Sequence, residues 1–341
     1  MKNYDDVIII GGGPTGLFAS FYAGLRDMTV KIIEAKSTLG GKVHVYPEKL
    51  IWDIGGQTPI LGADFIRQTI KQGLTFDPTV CCEEEVLSIR KEAQHFIVTT
   101  NRTAHYSKAV IITAGYGIIQ PKSIGLEGEE RFKKTNLFYT VPSIQQFAGQ
   151  RVLLSGGGQS AVDWANTLLH VTDDVTVVYR RQEMSGHEQE IQQLMNSKAT
   201  VLLNTSIQQL QGEECITSVV VEGEQTKQRQ VIETDAVIIN HGYERNLKLL
   251  EDSNLHLKMH EDYGILGNVF GETSEPGIFA AGDALNYEGK LHLIVGCYQD
   301  AVHAVNSAKQ YIDPLSEKHE MVSSHNKKLK EKNEKIYATL Q

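Results

Sequence analysis

A strand, a glycine turn and a helix follow one another twice in this chain of 341 residues. The first turn begins at Gly11 after the apolar residues 7–10, and the second begins at Gly156 after the apolar residues 152–154. Short apolar strands that alternate with helical stretches are typical of parallel α/β architecture. Two copies of one such unit predict an α/β fold with two Rossmann-like dinucleotide-binding domains, each built of three layers, ββα.

The boundaries between the two domains are expected where further apolar strands end. Residues 110–112 and 236–239 are apolar, and each run is followed by a segment that contains glycine. We predict that the second domain is inserted in the first, so that residues 1–118 and 244–341 form one domain and residues 119–243 form the other. The chain is long enough for this division because single cores usually split beyond about 250–300 residues.

Composition and charge argue against several classes of partner. The net charge is −9 at pH 7, whereas binding to nucleic acid requires a basic face. No apolar run approaches the roughly 18 residues that a membrane helix needs, and the first residues show no secretory segment. The four cysteines have neither a C-x-x-C nor a metal-ligand spacing. We therefore expect a cytoplasmic protein with no nucleic-acid partner, no membrane partner and no metal site.

The first turn has the pattern Gly11-x-Gly13-x-x-Gly16 and opens a helix. The first glycine of this pattern permits a tight turn, the second lets a pyrophosphate approach the backbone, and the third lets the helix pack on the strand. The helix N-terminus favours the anion through its N–H groups and its dipole. Glu34 ends the next strand, where a carboxylate accepts hydrogen bonds from ribose hydroxyls. These residues predict a dinucleotide site.

The second turn, Gly156-x-Gly158-x-x-Ala161, repeats the pattern without the acidic residue. The strand that follows it ends in Tyr179 and then Arg180 and Arg181. Positive charge at this place favours the 2′-phosphate of NADPH over the free ribose of NADH. The alternative is that the two arginines are ordinary surface charges.

A third signal is the run 277–283, which ends in Gly282-Asp283. A short carboxylate at the C-terminal end of a strand lies in the crevice where α/β sheets bind ligands. Taken alone, Asp283 is also consistent with a helix N-cap. Together with the two glycine turns it indicates a cofactor contact.

The chain resembles the thioredoxin-reductase-like ferredoxin–NADP reductases of bacteria over nearly its full length. The segments that carry the resemblance, besides the glycine turns, are Gly40-Gly41-Lys42, Tyr46-Pro47-Glu48-Lys49, Trp52-Asp53-Ile54-Gly55-Gly56, Ser185-Gly186-His187-Glu188, residues 277–283 and Ser323-Ser324-His325. The Tyr-Pro-Glu-Lys and Ser-Ser-His segments are specific to this group, whereas many flavoenzymes share the glycine motifs.

The resemblance implies that FAD binds at the first turn and NADPH at the second. Contacts to FAD are implied for Gly11, Gly13, Thr15, Gly16, Glu34, Lys42, Val86, Ile119 and Asp283, and contacts to NADPH for Gly156, Gly158, Arg180 and Arg181. It further implies that Tyr46 stacks on the isoalloxazine ring, that Ser324 donates a hydrogen bond near the flavin, and that His325 covers the other flavin face.

The reaction that the resemblance implies is hydride transfer from NADPH to the flavin, followed by single-electron steps to ferredoxin or flavodoxin. A homodimer is implied as well. No side chain is predicted to be catalytic, because the flavin itself carries the chemistry. The lysine-rich residues 327–335 are predicted to help dock the acidic acceptor, with a solvated helix face as the alternative.

Two departures from related enzymes bear on these expectations. Ser185 stands where relatives in the wider superfamily often carry a further arginine, so the preference for NADPH depends on the two arginines already named. Residues 138–142 stand where thioredoxin reductases place a Cys-x-x-Cys, and they contain no cysteine. Three alternatives remain open: a disulfide reductase, a flavin monooxygenase and a nucleotide-binding redox sensor without turnover.

Overall fold

The computed structural model describes residues 4–118, 120–244, 253, 255–261, 264–319 and 323–339. Its contacts divide the chain into two compact units. The first consists of Met1–His44, Lys49–Ile118 and Arg245–Gln341, and the second of Val45–Glu48 and Ile119–Glu244. The division differs from the predicted boundaries at residues 45–48 and at residue 244, which belong to the second unit.

The secondary structure contains both of the predicted strand–turn–helix units, together with runs of consecutive strands. The strands are β1 Asp5–Ile10, β2 Val30–Ile33, β3 Leu50–Ile51, β4 Ile60–Leu61, β5 Thr79–Cys81, β6 Val86–Glu92, β7 His95–Thr100, β8 Ala104–Ile112, β9 Gln120–Pro121, β10 Leu137–Phe138, β11 Val152–Ser155, β12 Val175–Val178, β13 Thr200–Leu202, β14 Thr205–Gln211, β15 Ser218–Gly223, β16 Arg229–Glu233, β17 Ala236–Ile239, β18 Tyr243–Glu244, β19 Ile265–Leu266, β20 Ile278–Ala280 and β21 Leu285–Asn286. The described α-helices are α1 Pro14–Leu25, α2 Gly62–Gly73, α3 Glu129–Phe132, α4 Gln159–Leu168, α5 Glu188–Met195, α6 Ile294–Ile312 and α7 Lys330–Thr339.

The first unit has three layers around one sheet, with strand order β5-β2-β1-β8-β7-β6 and β20 paired to β8. Strands β5, β2, β1, β8 and β20 are parallel, and β6 and β7 continue from β8 as an antiparallel meander. Successive side chains of a strand point to opposite faces. Accordingly Val7 and Ile9 pack with residues of α1 and α6, whereas Ile8 and Ile10 pack with the meander residue Phe96.

The second unit repeats this construction. Its parallel sheet has the order β10-β17-β11-β12-β13, and β14, β15 and β16 form an antiparallel meander. Val152 and Leu154 pack with α4 on one face of the sheet, and Leu153 packs with Val219 of the meander on the other. The prediction of two three-layer units, the second inserted in the first, is therefore confirmed. None of the helices in the described ranges is both long and apolar enough to cross a membrane.

Glu129 is a buried carboxylate that orders the start of the second unit. Its oxygens accept hydrogen bonds from Ser123 Oγ at 2.7 Å, Gly125 N at 2.9 Å and Tyr139 Oη at 2.6 Å, and Lys133 Nζ lies 2.8 Å away. Burial alone would raise the pKa of Glu129, but these partners, led by Lys133, lower it to about 2. The carboxylate is therefore ionised at neutral pH and holds residues 123–125 in place.

The C-terminal end of α1 anchors the last part of the chain. Arg26, which is buried, donates a hydrogen bond to Asn306 Oδ1 of α6 at 2.6 Å and others to the carbonyl oxygens of Glu317 and Lys318. A buried guanidinium requires such acceptors because it carries five donors and a permanent charge. The segment that follows α6 is thereby fixed to α1.

Candidate functional site

The first glycine turn leaves an open space in front of α1. A Cβ atom on Gly16 would overlap the carbonyl oxygen of Gly11, and one on Gly11 would lie 2.7 Å from Thr113 O. The first and third glycines are therefore required by the packing of the protein itself. A Cβ on Gly13 would meet only Gly41 Cα, at an ordinary 3.7 Å. The protein does not fill the space beside Gly13, which fits the approach of a pyrophosphate.

The start of α1 supplies donors for such an anion. Gly13 is the N-cap residue of α1 and has no side chain that could accept a bond from the first amides. Pro14 has no N–H group, and the first helical hydrogen bond runs from Leu17 N to Gly13 O at 2.9 Å. The N–H groups of the first turn of a helix have no acceptor within the helix. The amides of Thr15 and Gly16, together with the helix dipole, therefore favour a phosphate group here.

Glu34 lies against the glycine turn from the end of β2. Its Oε2 accepts a hydrogen bond from Gly12 N at 2.7 Å, and its Oε1 accepts one from Lys36 N at 2.8 Å. The side chain is 8% exposed, so its orientation is fixed by these two bonds. Each carboxylate oxygen can accept a further bond, and this arrangement fits ribose hydroxyls next to a bound pyrophosphate.

Asp283 lies close to the start of α1. Gly282 has φ +68°, and a Cβ there would overlap the side chain of Thr15, so the turn packs directly on the helix. Asp283 follows at the C-terminal end of β20, with its Oδ1 3.7 Å from His292 Nδ1. The structure thus brings together Thr15, the glycine turn and Asp283, and their contacts to FAD stay a prediction.

A buried network supports this turn and was not found from the sequence. Asp300 of α6, only 1% exposed, accepts hydrogen bonds from Gly282 N at 3.0 Å and from Tyr287 Oη at 2.8 Å, and it forms an ion pair with Lys290. Burying a charge is costly unless it is paired and hydrogen-bonded. The signal available in the sequence was a charged residue within the mostly apolar inner face of α6.

The predicted residues Lys42 and Val86 lie in the first unit. Gly40 N donates a hydrogen bond to Gly12 O at 2.8 Å, which places the short 3₁₀ helix Gly41–Val45 beside the glycine turn. Lys42 Nζ lies 5.1 Å from the ring centre of Tyr116, a cation–π contact that the sequence did not predict. Val86 is buried at the start of β6. Ile119 lies outside the described residues.

Tyr46 belongs to the second unit and not to the first, where the sequence placed it. Its side chain is partly buried against the apolar cluster around α4. Glu48 of the same segment accepts a hydrogen bond from Ile144 N at 2.9 Å, which holds residues 45–48 in that unit. The stacking of Tyr46 on the isoalloxazine ring stays a prediction.

Ser324 and His325 are exposed and lie away from the glycine turn of their own chain. Asn326, the next residue, donates a hydrogen bond to Leu25 O at 3.1 Å, and Lys328 Nζ lies 2.5 Å from Asp27 Oδ1. These contacts are at the C-terminal end of α1, and twelve helical residues span about 18 Å. The structure therefore does not bring the Ser-Ser-His segment together with the first turn in one chain.

The second glycine turn has the same open space in front of α4. A Cβ on Gly156 would overlap Asn240 O, whereas a Cβ on Gly158, the N-cap of α4, would meet nothing within 4 Å. The third position is Ala161, whose Cβ would lie 3.0 Å from a Cβ on Gly156. The helix therefore lies slightly farther from the strand in the second turn, where the third position carries the Cβ of Ala161, than in the first turn, where Gly16 has no room for a Cβ.

The end of β12 carries positive charge instead of a carboxylate. Tyr179 occupies the place of Glu34, with its ring against Gly157, and Arg180 and Arg181 follow it, both exposed. His241 Nε2 is 2.8 Å from Ser155 Oγ at the end of β11. Burial lowers the pKa of His241, and the charges of Arg180 and Lys122 lower it further. The edge of this sheet is therefore electropositive and fits a phosphorylated ribose.

The cysteines do not form a redox pair. All four are free: Cys81, Cys82 and Cys297 lie in the first unit, and the exposed Cys215 is alone in the second. Dithiol exchange requires one thiol to attack and another to resolve the mixed disulfide. With a single cysteine, the second unit holds no thiol pair for this exchange.

Two glycine turns, one beside a carboxylate and the other beside two arginines, each open a helix of a three-layer unit, an arrangement typical of oxidoreductases with two dinucleotide sites. Residues 5–308 match the family described as pyridine nucleotide-disulphide oxidoreductase, and the chain belongs to this family.

The chain is 51% identical to ferredoxin–NADP reductase 1 of Bacillus cytotoxicus, over 97% of this chain and 96% of the relative. It is 48% identical to ferredoxin–NADP reductase 1 of Oceanobacillus iheyensis, over 98% of this chain and 97% of the relative. Among solved structures, the thioredoxin reductase of T. acidophilum is similar with a TM-score of 0.76 and 26% identity, covering 92% of this chain and 100% of that one. The resemblance predicted from the sequence is confirmed.

Proposed function

We propose that the chain is an FAD-dependent ferredoxin–NADP reductase that moves electrons between NADPH and ferredoxin or flavodoxin. The observation that carries this proposal is a fold similar to thioredoxin reductase whose second unit holds a single cysteine and no Cys-x-x-Cys. The similarity to ferredoxin–NADP reductases over nearly the whole chain supports it. Bound FAD supplies the chemistry, because it accepts a hydride from NADPH and passes electrons on singly.

The residues of the chain bind and orient the two cofactors. The FAD site is formed in the first unit by Gly11, Gly13, Thr15, Gly16, Glu34, Lys42, Val86 and Asp283. The NADPH site is formed in the second unit by Gly156, Gly158, Arg180 and Arg181. The carboxylate at the first turn and the arginines at the second support this division, because they match a free ribose and a 2′-phosphate respectively.

The alternatives fit the chain less well. A thioredoxin-reductase-like disulfide reductase needs a thiol pair that receives electrons from the flavin, and this chain has no Cys-x-x-Cys. A sensor without turnover is less consistent with a similarity to ferredoxin–NADP reductases that covers nearly the whole chain. No feature of the described residues favours a monooxygenase.

Stopped-flow spectroscopy tests the proposal directly. Under anaerobic conditions NADPH should bleach the flavin absorbance, and mixing with oxidised ferredoxin or flavodoxin should restore it within the turnover time. Thioredoxin, added in the same way, should leave the flavin reduced. Rapid reoxidation by thioredoxin, or none by either one-electron carrier, would contradict the proposal.

We also infer that the protein is a cytoplasmic homodimer. The four free cysteines are typical of a reducing compartment.

Leu50 and Leu61 face each other in the β3–β4 pair and are exposed, as is the neighbouring Trp52. A cluster of exposed apolar side chains is typical of an interface. Light scattering coupled to size exclusion should give twice the mass of one chain, and replacing Trp52 and Leu50 with serine should lower it.

A further inference from the structure

Three side chains with metal-binding groups converge beside β5. Cys81 ends that strand, Glu84 lies in the turn that follows, and His105 lies in β8. The sulfur, one carboxylate oxygen and one imidazole nitrogen are all within 4.8 Å of one another. In the described part of the chain, no other three such side chains lie this close together. Glu84 and His105 are buried, while Cys81 is partly exposed and leaves a route to solvent.

The backbone between Cys81 and Glu84 adopts a conformation that brings the two side chains together. Glu83 has φ +55°, the left-handed region that side chains other than glycine rarely adopt. Glu83 N donates to Lys36 O at 2.9 Å and Glu84 N donates to Glu34 O at 3.0 Å, so bonds to the segment after β2 maintain the turn. The turn therefore keeps the Glu84 carboxylate beside the Cys81 sulfur.

We propose that Cys81, Glu84 and His105 bind a thiophilic divalent transition metal ion, with Zn²⁺ as the expected ion and water as the fourth ligand. A thiolate, an imidazole and a carboxylate are the ligands that zinc takes in proteins, whereas Mg²⁺ and Ca²⁺ take oxygen ligands. The chemistry of the three groups therefore selects the class of metal.

The distances allow this coordination with small movements. His105 Nε2 is now 2.8 Å from Glu84 Oε2. Zinc bonds of about 2.0–2.3 Å in a tetrahedron separate the ligand atoms by roughly 3.3–3.7 Å. The imidazole and the carboxylate must therefore open by less than about 1 Å, and the sulfur must close by at most about 1.3 Å. Thr100 Oγ donates to Glu84 Oε2 at 2.8 Å and would orient the carboxylate from the second shell.

Metal binding replaces the proton of the Cys81 thiol. Burial, and next the charge of Glu84, raises the pKa of Cys81, so the thiol is protonated at neutral pH when no metal is bound. A Zn–S bond forms as the S–H proton is released to solvent, and no oxidant or reductant is needed. Glu34 N donates a hydrogen bond to Cys81 O at 2.9 Å. A metal ion on Cys81 would therefore make the turn beside Glu34 more rigid. Glu34 is the residue to which the proposed function assigns the FAD ribose.

Cys82 provides a matched control for the test. It is adjacent to Cys81 and partly exposed like it, and burial raises its pKa in the same way, but it is not in the cluster. The FAD-loaded protein is freed of metal with a chelator and then dialysed against micromolar Zn²⁺. The zinc content per chain is measured by elemental analysis, and the unfolding temperature is measured with and without zinc.

We expect one zinc per chain in the wild type and in Cys82→Ser, with a higher unfolding temperature when zinc is present. Cys81→Ser and Glu84→Gln should each lose at least about tenfold in zinc affinity and show a smaller shift in unfolding temperature than the wild type. Magnesium should have no effect on any variant. Equal zinc binding by Cys81→Ser and Cys82→Ser, or none by the wild type, would overturn the proposal. The measurement uses neither NADPH nor ferredoxin, so its outcome is independent of the electron-transfer function.

Discussion

A valine at position 13 should weaken FAD binding strongly without unfolding the protein. Gly13 has φ −75°, which any residue adopts, and the space around its Cβ is open apart from Gly41 Cα at 3.7 Å. The branched side chain would therefore occupy the space in front of the first amides of α1. Gly158 of the second turn has φ −82° and nothing within 4 Å of its Cβ, so Gly158→Val is a closely matched control.

The expected loss can be estimated from the donors that valine covers. Thr15 N and Gly16 N would each make a charge-assisted hydrogen bond to the pyrophosphate, worth about 1.5–3 kcal/mol. Losing both costs about 3–6 kcal/mol, or roughly 10²–10⁴ in the dissociation constant of FAD. The N-cap position also prefers glycine to valine, so both variants should lose about 1 kcal/mol of folding stability.

The assay is the FAD content of the purified protein, followed by titration of the apoprotein with FAD. Gly13→Val should purify colourless, with far-ultraviolet circular dichroism like that of the wild type. Gly158→Val should purify yellow but should need much more NADPH to bleach its flavin. A Gly13→Val protein that retains its full FAD content would refute the assignment of the first turn, and equal FAD loss in both variants would refute the division between the turns.

Three further outcomes follow from the structure. Arg180→Ala should raise the KM for NADPH by about 10–100-fold, from the loss of about 1.5–3 kcal/mol per charge-assisted bond, and should leave the KM for NADH unchanged in steady-state assays. The pKa of Glu129 is lowered from 4.5 to about 2, so the stability it contributes is complete above about pH 4.5 and is lost as the pH falls towards 2. Urea unfolding should therefore show a steeper acid loss of stability in the wild type than in Glu129→Gln. Replacing the exposed Lys327, Lys330 and Lys332 with glutamate should slow ferredoxin reduction at low salt but not NADPH-to-dye activity, and an unchanged rate that is also insensitive to salt would place the docking surface elsewhere. Lys328 is kept in that variant because it is paired with Asp27 and holds the tail on α1.

The glycine turns could be predicted from the sequence because their requirements are local. Gly11 and Gly16 must be glycine because a Cβ atom on either would overlap a residue nearby in the chain or on the adjacent strand. The strand before them is buried on both faces and is therefore apolar. The apolar run and the glycine spacing thus appear together in the sequence. The position of Glu34 follows from the length of one βαβ unit.

The parts that sequence reasoning missed depend on contacts between distant segments. Tyr46 is next to residues of the first unit in the chain, but its apolar ring packs on the core of the second. His105 reaches Cys81 only because the meander folds over the parallel sheet, and no spacing rule for metal ligands covers that separation. The placement of Ser324 is set by Asn326 and Leu25, which are far apart in sequence.

The pairing of β20 with β8 has a consequence for the order in which the protein is completed during translation. The second unit has all its strands once the ribosome has passed residue 244, whereas the first sheet still lacks β20, and its helical layer lacks α6. Chains grow at about 5–20 residues per second, so the inserted unit has several seconds in which to fold while the surrounding one is open. The unit that contains the N-terminus is therefore finished last, and the nascent chain gains Asp283, which lies beside the first glycine turn, only after the inserted unit has been made.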